Sequence, residues 1–394
     1  MTQHILTLNA GSSSIKFALF EVADMSMPLS GMIEGLGTHP RLTVSDGAGK
    51  AIEKRDLSPA EASQHRDGLA TILAFLAARF AHIDVIAVGH RVVHGGMVFT
   101  RAVRVDAGVF AALEALQPLD PLHQPHNLAG ITAASAAFPG TPQIACFDTA
   151  FHRTQSFVNE TYAIPRHFYD EGVRRFGFHG LSYEYVARRL RDIAPGLAAG
   201  RVIVAHLGNG ASMCAMKNGR SVASTMGFSP LDGLPMGTRP GQIDPGVLLY
   251  LLNDRKMTGA DLTELLWQQS GLKGLSGISS DMRDLEASGT AQAGEAIAYF
   301  AYRIQREIGS LAAALGGLDA IVFCGGIGEN AWRLRQSVLE AMAWIGMDID
   351  IPRNRAHETV ISTAPSPVQA MVIRTNEELM IAEHAASFCK PVAA

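Results

Sequence analysis

Short apolar segments alternate with longer amphipathic segments along the chain of 394 residues. A short apolar run bounded by turn residues is typical of a buried strand, whereas apolar residues at helical spacing indicate a helix. The apolar runs predict strands at residues 5–8, 17–20, 85–88, 144–147, 202–206 and 320–324. The amphipathic segments predict helices at residues 68–80, 183–193, 245–252, 294–315 and 377–388. This alternation indicates an α/β fold.

One short pattern occurs twice, about half a chain apart. LNAGS at residues 8–12 and GNGAS at residues 208–212 each follow an apolar strand and lead towards another. The second is followed by Asn218-Gly219, which is a strong signal for a two-residue hairpin turn. Two strand–turn–strand units predict a duplicated fold with a cleft between its halves. Chance similarity of four residues is the alternative.

The length and composition predict two globular domains. A chain of 394 residues is longer than one hydrophobic core usually serves, and 47% of its residues are hydrophobic and 18% charged. No low-complexity linker divides it, so we expect the boundary within ordinary structure, near residues 148–157. The net charge of −4 and the lack of a basic run argue against a nucleic-acid partner.

Several features predict a cytoplasmic protein without a membrane partner. Cys146, Cys214, Cys324 and Cys389 are far apart and lie among small or apolar residues, as expected of buried free thiols in a reducing compartment. The first residues lack the basic and apolar regions of a signal peptide. The longest uncharged apolar stretch, residues 308–318, is too short to cross a bilayer.

Common catalytic motifs do not occur in the sequence. There is no G-x-x-x-x-G-K-[ST] phosphate loop, no HExxH and no GxSxG. His90 and His94 are four residues apart, but no acid lies where a zinc protease needs one, so we interpret GHRVVHGG as a strand that runs into a glycine turn.

Three glycine-rich turns each follow an apolar strand and are candidate phosphate sites. They are LNAGSSSIKF from residue 8, HLGNGAS at residues 206–212 and FCGGIGEN at residues 323–330, the last leading into a helix at Trp332. Small residues let an anion approach backbone N–H groups closely. The alternative for any one of them is an ordinary turn, but three in a duplicated chain predict a nucleotide held between two lobes.

Five charged or ionisable side chains lie next to glycine, proline or small polar residues and are predicted to be in loops. An arginine in such a loop suits carboxylate and phosphate oxygens, because its planar fork donates two parallel hydrogen bonds. Surface charge or a structural salt bridge is the alternative for each. These residues are Arg91, Asp148, His179, Arg239 and Glu377.

The sequence resembles the acetate/propionate kinase family, within the superfamily of sugar kinases, Hsp70 and actin. The similarity extends nearly from end to end through LNAGSSSIKFALF, GHRVVHGG, DPLHQPHNLAGI, FDTAFH, RRFGFHGLSYEYV, HLGNGAS, TMGFSPLDGLPMGTRPGQIDP, GLSGISSDMRDL, FCGGIGEN and TNEELMIA. It implies a duplicated, two-lobed ribonuclease H-like fold with a central cleft, and usually a homodimer. The N-terminal lobe would be residues 1–150, joined by a C-terminal helix at about 378–394, and the nucleotide-binding lobe residues 151–377.

The resemblance implies a role for each matching residue. Asn9 and Glu377 would hold Mg²⁺, with Mn²⁺ as the alternative ion. The catalytic residues would be Arg91, which also binds the substrate carboxylate, Asp148, His179 and Arg239. The nucleotide, ATP or ADP, would contact Ser12, Ser14, Lys16, His206, Leu207, Gly208, Asn209, Gly210, Asp281, Met282, Arg283, Gly325, Gly326, Ile327, Gly328, Glu329 and Asn330. The apolar wall of the substrate pocket would be Val93, Leu122, Phe178 and Pro230.

Two departures from the family pattern bear on these roles. Gln124-Pro125-His126 replaces the more usual Asn-Pro-Pro, and Pro240-Gly241-Gln242 replaces Ser-Gly-Asp. The second change removes a carboxylate that we expect beside Arg239, and it would alter how that arginine is held.

The implied reaction is ATP + acetate ⇌ ADP + acetyl phosphate. A carboxylic acid with a pKa near about 4 is already ionised at neutral pH, so the nucleophile needs positive charge and positioning rather than a base. This favours direct in-line transfer, and it favours a role for Asp148 in orienting Arg91 or metal-bound water over general-base catalysis. The alternatives are propionate kinase, more remotely butyrate kinase, and, from another class, a nucleotide-binding chaperone or actin-like assembly protein.

Overall fold

The computed structural model describes residues 2–11, 14–79 and 83–389. Its strands are β1 (Gln3–Ala10), β2 (Ser14–Glu21), β3 (Leu29–Glu34), β4 (Arg41–Asp46), β5 (Ala51–Asp56), β6 (Asp84–Val92), β7 (Val103–Arg104), β8 (Gln143–Phe147), β9 (Arg201–Leu207), β10 (Ala211–Lys217), β11 (Arg220–Ser224), β12 (Ala320–Cys324) and β13 (Gln369–Val372). Its helices in the first half are α1 (Pro59–Ala62), α2 (His65–Arg79), α3 (Ala107–Glu114), α4 (Gln124–Ala137), α5 (Phe157–Glu160), α6 (Arg166–Asp170), α7 (Gly180–Ile193) and α8 (Pro195–Ala198). The later helices are α9 (Pro245–Asn253), α10 (Gly259–Glu264), α11 (Gly271–Ser276), α12 (Met282–Ser288), α13 (Ala291–Leu315), α14 (Gly325–Asn330), α15 (Trp332–Ala341), α16 (Ile351–Arg355) and α17 (Glu377–Ser387).

The strands and helices predicted from the pattern are present, most of them a few residues longer than predicted. The predicted end of one helix, residue 80, lies outside the described residues. The hairpin at Asn218-Gly219 is confirmed: both residues have positive φ, 53° and 69°, and they join β10 to β11. This is the backbone conformation that a two-residue hairpin turn requires.

Close contacts divide the chain into two compact units. One holds the described residues of Met1–Phe151 and Asn376–Ala394, and the other holds His152–Thr375. The first unit has a sheet of eight strands in the order β5-β4-β3-β2-β1-β6-β8-β7. Strands β1 to β5 pair antiparallel in sequence, whereas β6 lies parallel to β1 and β8 parallel to β6.

Helices cover both faces of the central strands of the first sheet. Leu6, Leu8 and Val88 pack with residues of α2 and α4 in one apolar cluster. Successive residues of a strand point to opposite faces, and Gly89 accordingly lies against α17, where an added Cβ would come within 2.5 Å of Ile381. The final helix therefore packs directly on β6 of the unit that contains the start of the chain.

The second unit repeats the core of the first. Its sheet has the order β11-β10-β9-β12-β13, with β9, β10 and β11 antiparallel and β12 and β13 parallel to β9. The order and directions match those of β3-β2-β1-β6-β8. The α/β fold class and its duplication are confirmed, so the repeated turn pattern has a structural counterpart in each unit.

Two further expectations can be compared with the structure. All four cysteines are free; Cys146, Cys214 and Cys324 are buried, while Cys389 is only partly buried. Among the described residues, no helix has both the length and the apolar content that crossing a membrane would need.

Candidate active site

Arg91 and Asp148 form the centre of the polar site in the first unit. Arg91 lies on β6, not in the loop predicted for it, and Asp148 follows β8, the strand beside it. The Arg91 Nε donates to both Asp148 carboxylate oxygens at 3.1 Å, and Nη2 donates to Oδ2 at 2.6 Å. Burial opposes the charge of Arg91, but the carboxylates of Asp148, Glu377 and Glu378 outweigh it and raise the arginine pKa.

Asn9 and Glu377, the predicted metal ligands, both lie near this arginine. The Asn9 Oδ1 accepts from Arg91 Nη1 at 3.1 Å, and Glu377 is the first residue of α17. Among the described residues, no group of three or more His, Cys, Asp or Glu has the arrangement of a metal cage. Mg²⁺ commonly takes one or two protein oxygens and completes its shell with water and phosphate. The amide and carboxylate oxygens of this pair fit such an ion.

Asn127 is a site residue that the sequence reasoning did not single out. Its Oδ1 accepts from the backbone N–H of Val93 at 3.0 Å, and its Nδ2 donates to Ala10 O at 3.3 Å. It thereby fixes Val93 to the end of β1. Val93 comes just after β6 ends and is buried, whereas Leu122 is half-buried. Asn127 lies in the motif DPLHQPHNLAGI, but nothing in the sequence indicates which groups it hydrogen-bonds.

The turn between β1 and β2 is held by backbone and histidine contacts. Gly11 donates to Ser14 O at 2.8 Å, and its own carbonyl contacts the His65 Nε2 at 2.5 Å. The His65 ring stacks on that of His126 at 3.9 Å. Burial, together with the neighbouring His65 and His123, lowers the pKa of His126. Of the predicted phosphate residues, Lys16 is exposed on β2, and Ser12 lies outside the described residues.

The turn between β9 and β10 is the counterpart in the second unit. It contains Gly208, Asn209 and Gly210, with the Gly208 N–H donating to Gly210 O at 3.0 Å. Asn209 is exposed, and His206 is half-buried near the end of β9. Leu207 is fully buried, so its side chain is not available to a ligand.

His179 lies over this turn. It precedes α7 with a φ of 58°, a left-handed conformation that is uncommon for residues other than glycine. Its ring stacks on His206 at 4.3 Å between centroids. A Cβ added to Gly210 would lie 3.3 Å from the His179 Nε2, so that nitrogen lies at the turn. The two predicted site residues His179 and His206 are therefore brought together.

Arg239 is held in a loop that contacts the same turn. Its guanidinium lies 4.9 Å from the Trp267 ring centroid, and Nη1 donates to Pro230 O at 3.2 Å. The Gly237 N–H donates to Asn209 O at 3.0 Å. The loop thus joins Arg239 to the β9–β10 turn, and Trp267, which follows α10 in a π-helix at Leu265–Gln269, is a contact that the sequence reasoning missed.

Gln242, the residue expected to alter how Arg239 is held, contacts Arg303. The Gln242 Oε1 accepts from Arg303 Nη2 at 2.7 Å, so the side chain braces the buried Arg303 of α13. Arg303 also lies 3.6 Å from Glu307, and within the described residues its Nε has no hydrogen-bond partner. The neutral Gln242 is therefore one of the partners of a buried arginine.

Gly271 fixes the position of the Arg239 loop from α11. It has a φ of 63°, and a Cβ there would collide with the Met236 carbonyl oxygen. The next N–H, that of Leu272, donates to Met236 O at 2.8 Å, and Lys273 N donates to Gly237 O at 2.9 Å. The backbone at the start of α11 is thus hydrogen-bonded to the backbone of the Arg239 loop. The two backbones are so close at residue 271 that only glycine fits there.

The residues expected to contact adenosine are arranged around two helix starts. Asp281 precedes α12 and accepts from the Arg283 backbone at 2.8 Å and from its side chain. The Met282 side chain is buried, so it is unavailable to a ligand. The segment Gly325–Asn330, predicted as a turn before a helix, is itself α14. Its first N–H, that of Gly325, donates to the Glu329 Oε1 at 2.9 Å.

Comparisons with known proteins agree with this arrangement. The model of the Acetokinase family matches residues 4–383. Acetate kinase of Methylocella silvestris is 55% identical, and the match covers all of both chains. The solved structure of Porphyromonas gingivalis acetate kinase has a TM-score of 0.88 at 38% identity, covering 98% of this chain and 100% of its own. A propionate kinase from Francisella tularensis has a TM-score of 0.90 at 38% identity, covering 98% and 99%.

The resemblance drawn from the sequence motifs is thereby confirmed over nearly the whole chain. The matched residues include all of the second unit and most of the first, so the match is not restricted to one domain. The chain belongs to the acetokinase family, whose members are kinases that use ATP or ADP and transfer a phosphoryl group to or from a carboxylate.

Proposed function

We propose that the chain catalyses reversible phosphoryl transfer from ATP to acetate, giving ADP and acetyl phosphate, by direct in-line attack. The observation that carries this proposal is the network of Arg91, Asp148 and Asn9. The Nε and Nη2 of Arg91 donate to Asp148 and its Nη1 donates to Asn9, and the guanidinium still has N–H groups with which to bind a ligand. Such a group suits a small carboxylate. The acid is ionised at neutral pH and attacks without a base.

Asp148 acts by orienting Arg91. Both of its carboxylate oxygens accept hydrogen bonds from the guanidinium, and the side chain is almost fully buried. A carboxylate used in this way is a poor proton acceptor, because its lone pairs are occupied and a cation lies against it. The pair holds the acetate oxygen in line with the phosphorus while the arginine reduces the repulsion between two anions.

His179 and Arg239 donate to the phosphoryl group as it moves. Negative charge on this group is best stabilised by donors fixed before the reaction starts. The stacking of His179 on His206 and of Arg239 on Trp267 supports such fixed positions. The β9–β10 turn, with Asn209 and Gly210, contacts the phosphate oxygens.

Asn9 and Glu377 hold Mg²⁺, with Mn²⁺ as the alternative ion. When bound, the ion neutralises charge on the ATP phosphates. Ser14 and Lys16 of the first unit contact the phosphates; Ser12, the third residue expected there, lies outside the described residues. The adenosine is held by Asp281, Arg283 and α14, of which Gly326 is exposed.

Acetate is the preferred acid, and propionate is the second candidate. Val93 and Leu122 of the first unit limit the acyl chain, and the family resemblance adds Phe178 and Pro230 as further candidates for contact with it. The 38% identity to a propionate kinase is the reason to keep the larger acid as a candidate. ATP as substrate and four free cysteines favour the cytoplasm as the compartment.

The working form is a homodimer that uses α9. No residue of this helix is buried, and its exposed side chains include Val247, Leu249, Tyr250 and Leu252, with no charge between Pro245 and Asn253. A helix that is apolar all round needs a partner surface. A second copy is the occupant that the family resemblance implies. Light scattering should give a dimer for the wild type and a monomer for Leu249→Glu, with Ser337→Glu at an exposed position of α15 as the charge-matched control; a dimeric Leu249→Glu would exclude this face.

The activity is tested by trapping acetyl phosphate. With ATP, acetate, Mg²⁺ and hydroxylamine, the wild type should form acetohydroxamate, and replacing acetate with propionate and then butyrate should lower kcat/KM in that order. Hydroxamate formation faster with propionate than with acetate would assign the larger acid. An enzyme that forms none with any of the three acids would refute the proposed function.

A further inference from the structure

The two ring nitrogens of His179 have different surroundings. Nδ1 contacts the Ser212 Oγ at 2.8 Å, whereas Nε2 lies at Gly210 of the β9–β10 turn. In a neutral imidazole one nitrogen donates and the other accepts, and the partner of one decides the state of the other. The hydrogen on Ser212 therefore decides what His179 presents to the turn.

Tyr183 determines where that hydrogen points. Its hydroxyl contacts the Ser212 Oγ at 2.5 Å, and the ring is fully buried on α7. Burial raises the pKa of this phenol well above its ordinary value, so it keeps its proton. A phenol is a better donor and a poorer acceptor than an alcohol. The Tyr183 O–H thus donates to Ser212, and the Ser212 O–H donates to the His179 Nδ1.

Other contacts keep the His179 ring from turning away from this bond. The residue is held at a φ of 58°, a conformation that persists only where the surroundings enforce it. The ring is stacked on that of His206, whose own Nδ1 contacts the Ser182 Oγ at 2.8 Å. Two protonated rings at this distance would repel each other. A neutral His179 ring avoids this repulsion and still presents an N–H at the turn.

We propose that Ser212 and Tyr183 are positioning residues that hold His179 as the neutral tautomer protonated at Nε2, so that Nε2–H donates to the transferring phosphoryl group. This inference rests on the role proposed above for His179. The relay holds a proton and does not move one: the Tyr183, Ser212 and Nε2 hydrogens stay on their atoms throughout the reaction. The relay fixes the direction in which His179 donates, because only an Nε2–H can point from the ring into the turn.

The tautomer is measured directly by ¹⁵N magic-angle-spinning spectra of the whole enzyme labelled at histidine. The His179 signals are assigned by their loss in His179→Gln. We expect the wild type to show Nε2 protonated and Nδ1 as an acceptor. In Ser212→Ala a second population protonated at Nδ1 should appear. A wild-type ring protonated at Nδ1 would overturn the proposal, whatever the kinetics.

Kinetics test whether the relay matters for the reaction. Ser212→Ala should lower kcat about tenfold with little change in KM for ATP or acetate, since the misdirected donor acts mainly on the transition state. Ser212→Thr, which keeps the hydroxyl, should restore most of kcat, and Tyr183→Phe should give a smaller loss. Unchanged kcat in a Ser212→Ala variant that shows the mixed tautomers would overturn the proposal.

A matched control separates this effect from loss of a buried serine. Ser221 is also buried, and its Oγ contacts the Nδ1 of another buried histidine, His152, at 2.9 Å. Ser221→Ala should lower the thermal midpoint as much as Ser212→Ala while kcat stays near that of the wild type. An equal loss of kcat in both would assign Ser212 a structural role only. If His179→Gln itself keeps full kcat, the proposed function of His179 fails, and the spectra still decide the tautomer.

Discussion

The guanidinium of Arg91 donates three hydrogen bonds to the carboxylate of Asp148, at 2.6 to 3.1 Å, although the two residues are 57 positions apart. Parallel strands β6 and β8 bring them side by side. The fold thus places a buried negative charge behind the arginine, and the remaining donors of the guanidinium have a fixed direction.

Replacing Arg91 with alanine should raise KM for acetate about 10- to 100-fold, because a charge-assisted pair of about 1.5–3 kcal/mol is lost. KM for ATP should change much less. Initial rates with each substrate varied separately make the comparison. Equal increases in both KM values would show that Arg91 does not select the carboxylate.

Arg239→Ala should act mainly on kcat, with a loss of roughly 10²–10³-fold, because charge on the phosphoryl group is greatest in the transition state. Trp267→Leu keeps the arginine and removes only the ring beneath it, so its loss should be smaller. Steady-state rates at saturating ATP and acetate give both values. A normal kcat with raised KM in Arg239→Ala would place this residue in ground-state binding.

Val93→Ala should shift preference towards longer acids. A buried methylene gains about 0.8 kcal/mol, whereas forcing one into a filled pocket costs about 1–3 kcal/mol. With valine at residue 93, a longer acyl chain is crowded, so acetate should be preferred. With alanine there is room to bury the extra methylenes, so butyrate should gain. The measurement is the ratio of kcat/KM for butyrate to that for acetate. An unchanged ratio in a variant with a normal thermal melt would make Val93 a core residue only.

Acid should destabilise the protein through its buried histidines. Burial lowers the pKa of His90 and of His152 from 6.5 to about 4. Between these values the unfolded chain binds more protons, so stability is full above pH 6.5 and falls as the pH drops towards 4. The loss is on the order of 3 kcal/mol for each group. In urea unfolding at several pH values, His90→Gln should show a shallower dependence, and the exposed control His167→Gln should not.

Gln242→Glu should stabilise the second unit. The substitution gives the buried Arg303 a carboxylate partner in place of an amide, on a side chain of the same length. Because residue 242 is itself exposed, the free energy of unfolding should rise by only about 0.5–1 kcal/mol. Arg303 would lower the pKa of the new carboxyl, so the gain is present above the ordinary glutamate pKa and is lost on acidification. Gln242→Ala, which leaves the Arg303 Nη2 without this partner, should destabilise. Denaturation midpoints at neutral and acidic pH decide the sign; a destabilised Gln242→Glu at neutral pH would contradict this account.

Much of this fold follows from local patterns. The Asn218-Gly219 turn needed only its own two residues, and the strand at Ala320–Cys324 was marked by an unbroken apolar run. The duplication was visible as two similar turns because each ends the first strand of a unit. Local patterns were incomplete at Gly325–Asn330. The glycines indicated a turn, whereas the segment is a helix whose first N–H, that of Gly325, donates to the Glu329 side chain. Contacts between residues far apart in the chain leave even less trace in the sequence.

The supporting contacts of the site could not be predicted for the same reason. Ser212 and Tyr183 are 29 residues apart, and Gln242 and Arg303 are 61 apart, so neither pair has a sequence signature. Trp267 lies in an irregular helical turn whose geometry depends on the Arg239 loop. Sequence motifs marked the groups proposed to contact the substrates, whereas the contacts that hold these groups in place are seen only in the structure.

The chain order of the two units has a consequence for synthesis on the ribosome. The second unit is continuous, from His152 to Thr375, so it can complete its folding as soon as it emerges. The first unit needs α17, whose Ile381 packs on Gly89. The unit that contains β1 is therefore completed only after the second unit has been made, and the Arg91–Asp148 pair acquires Glu377 beside it only then.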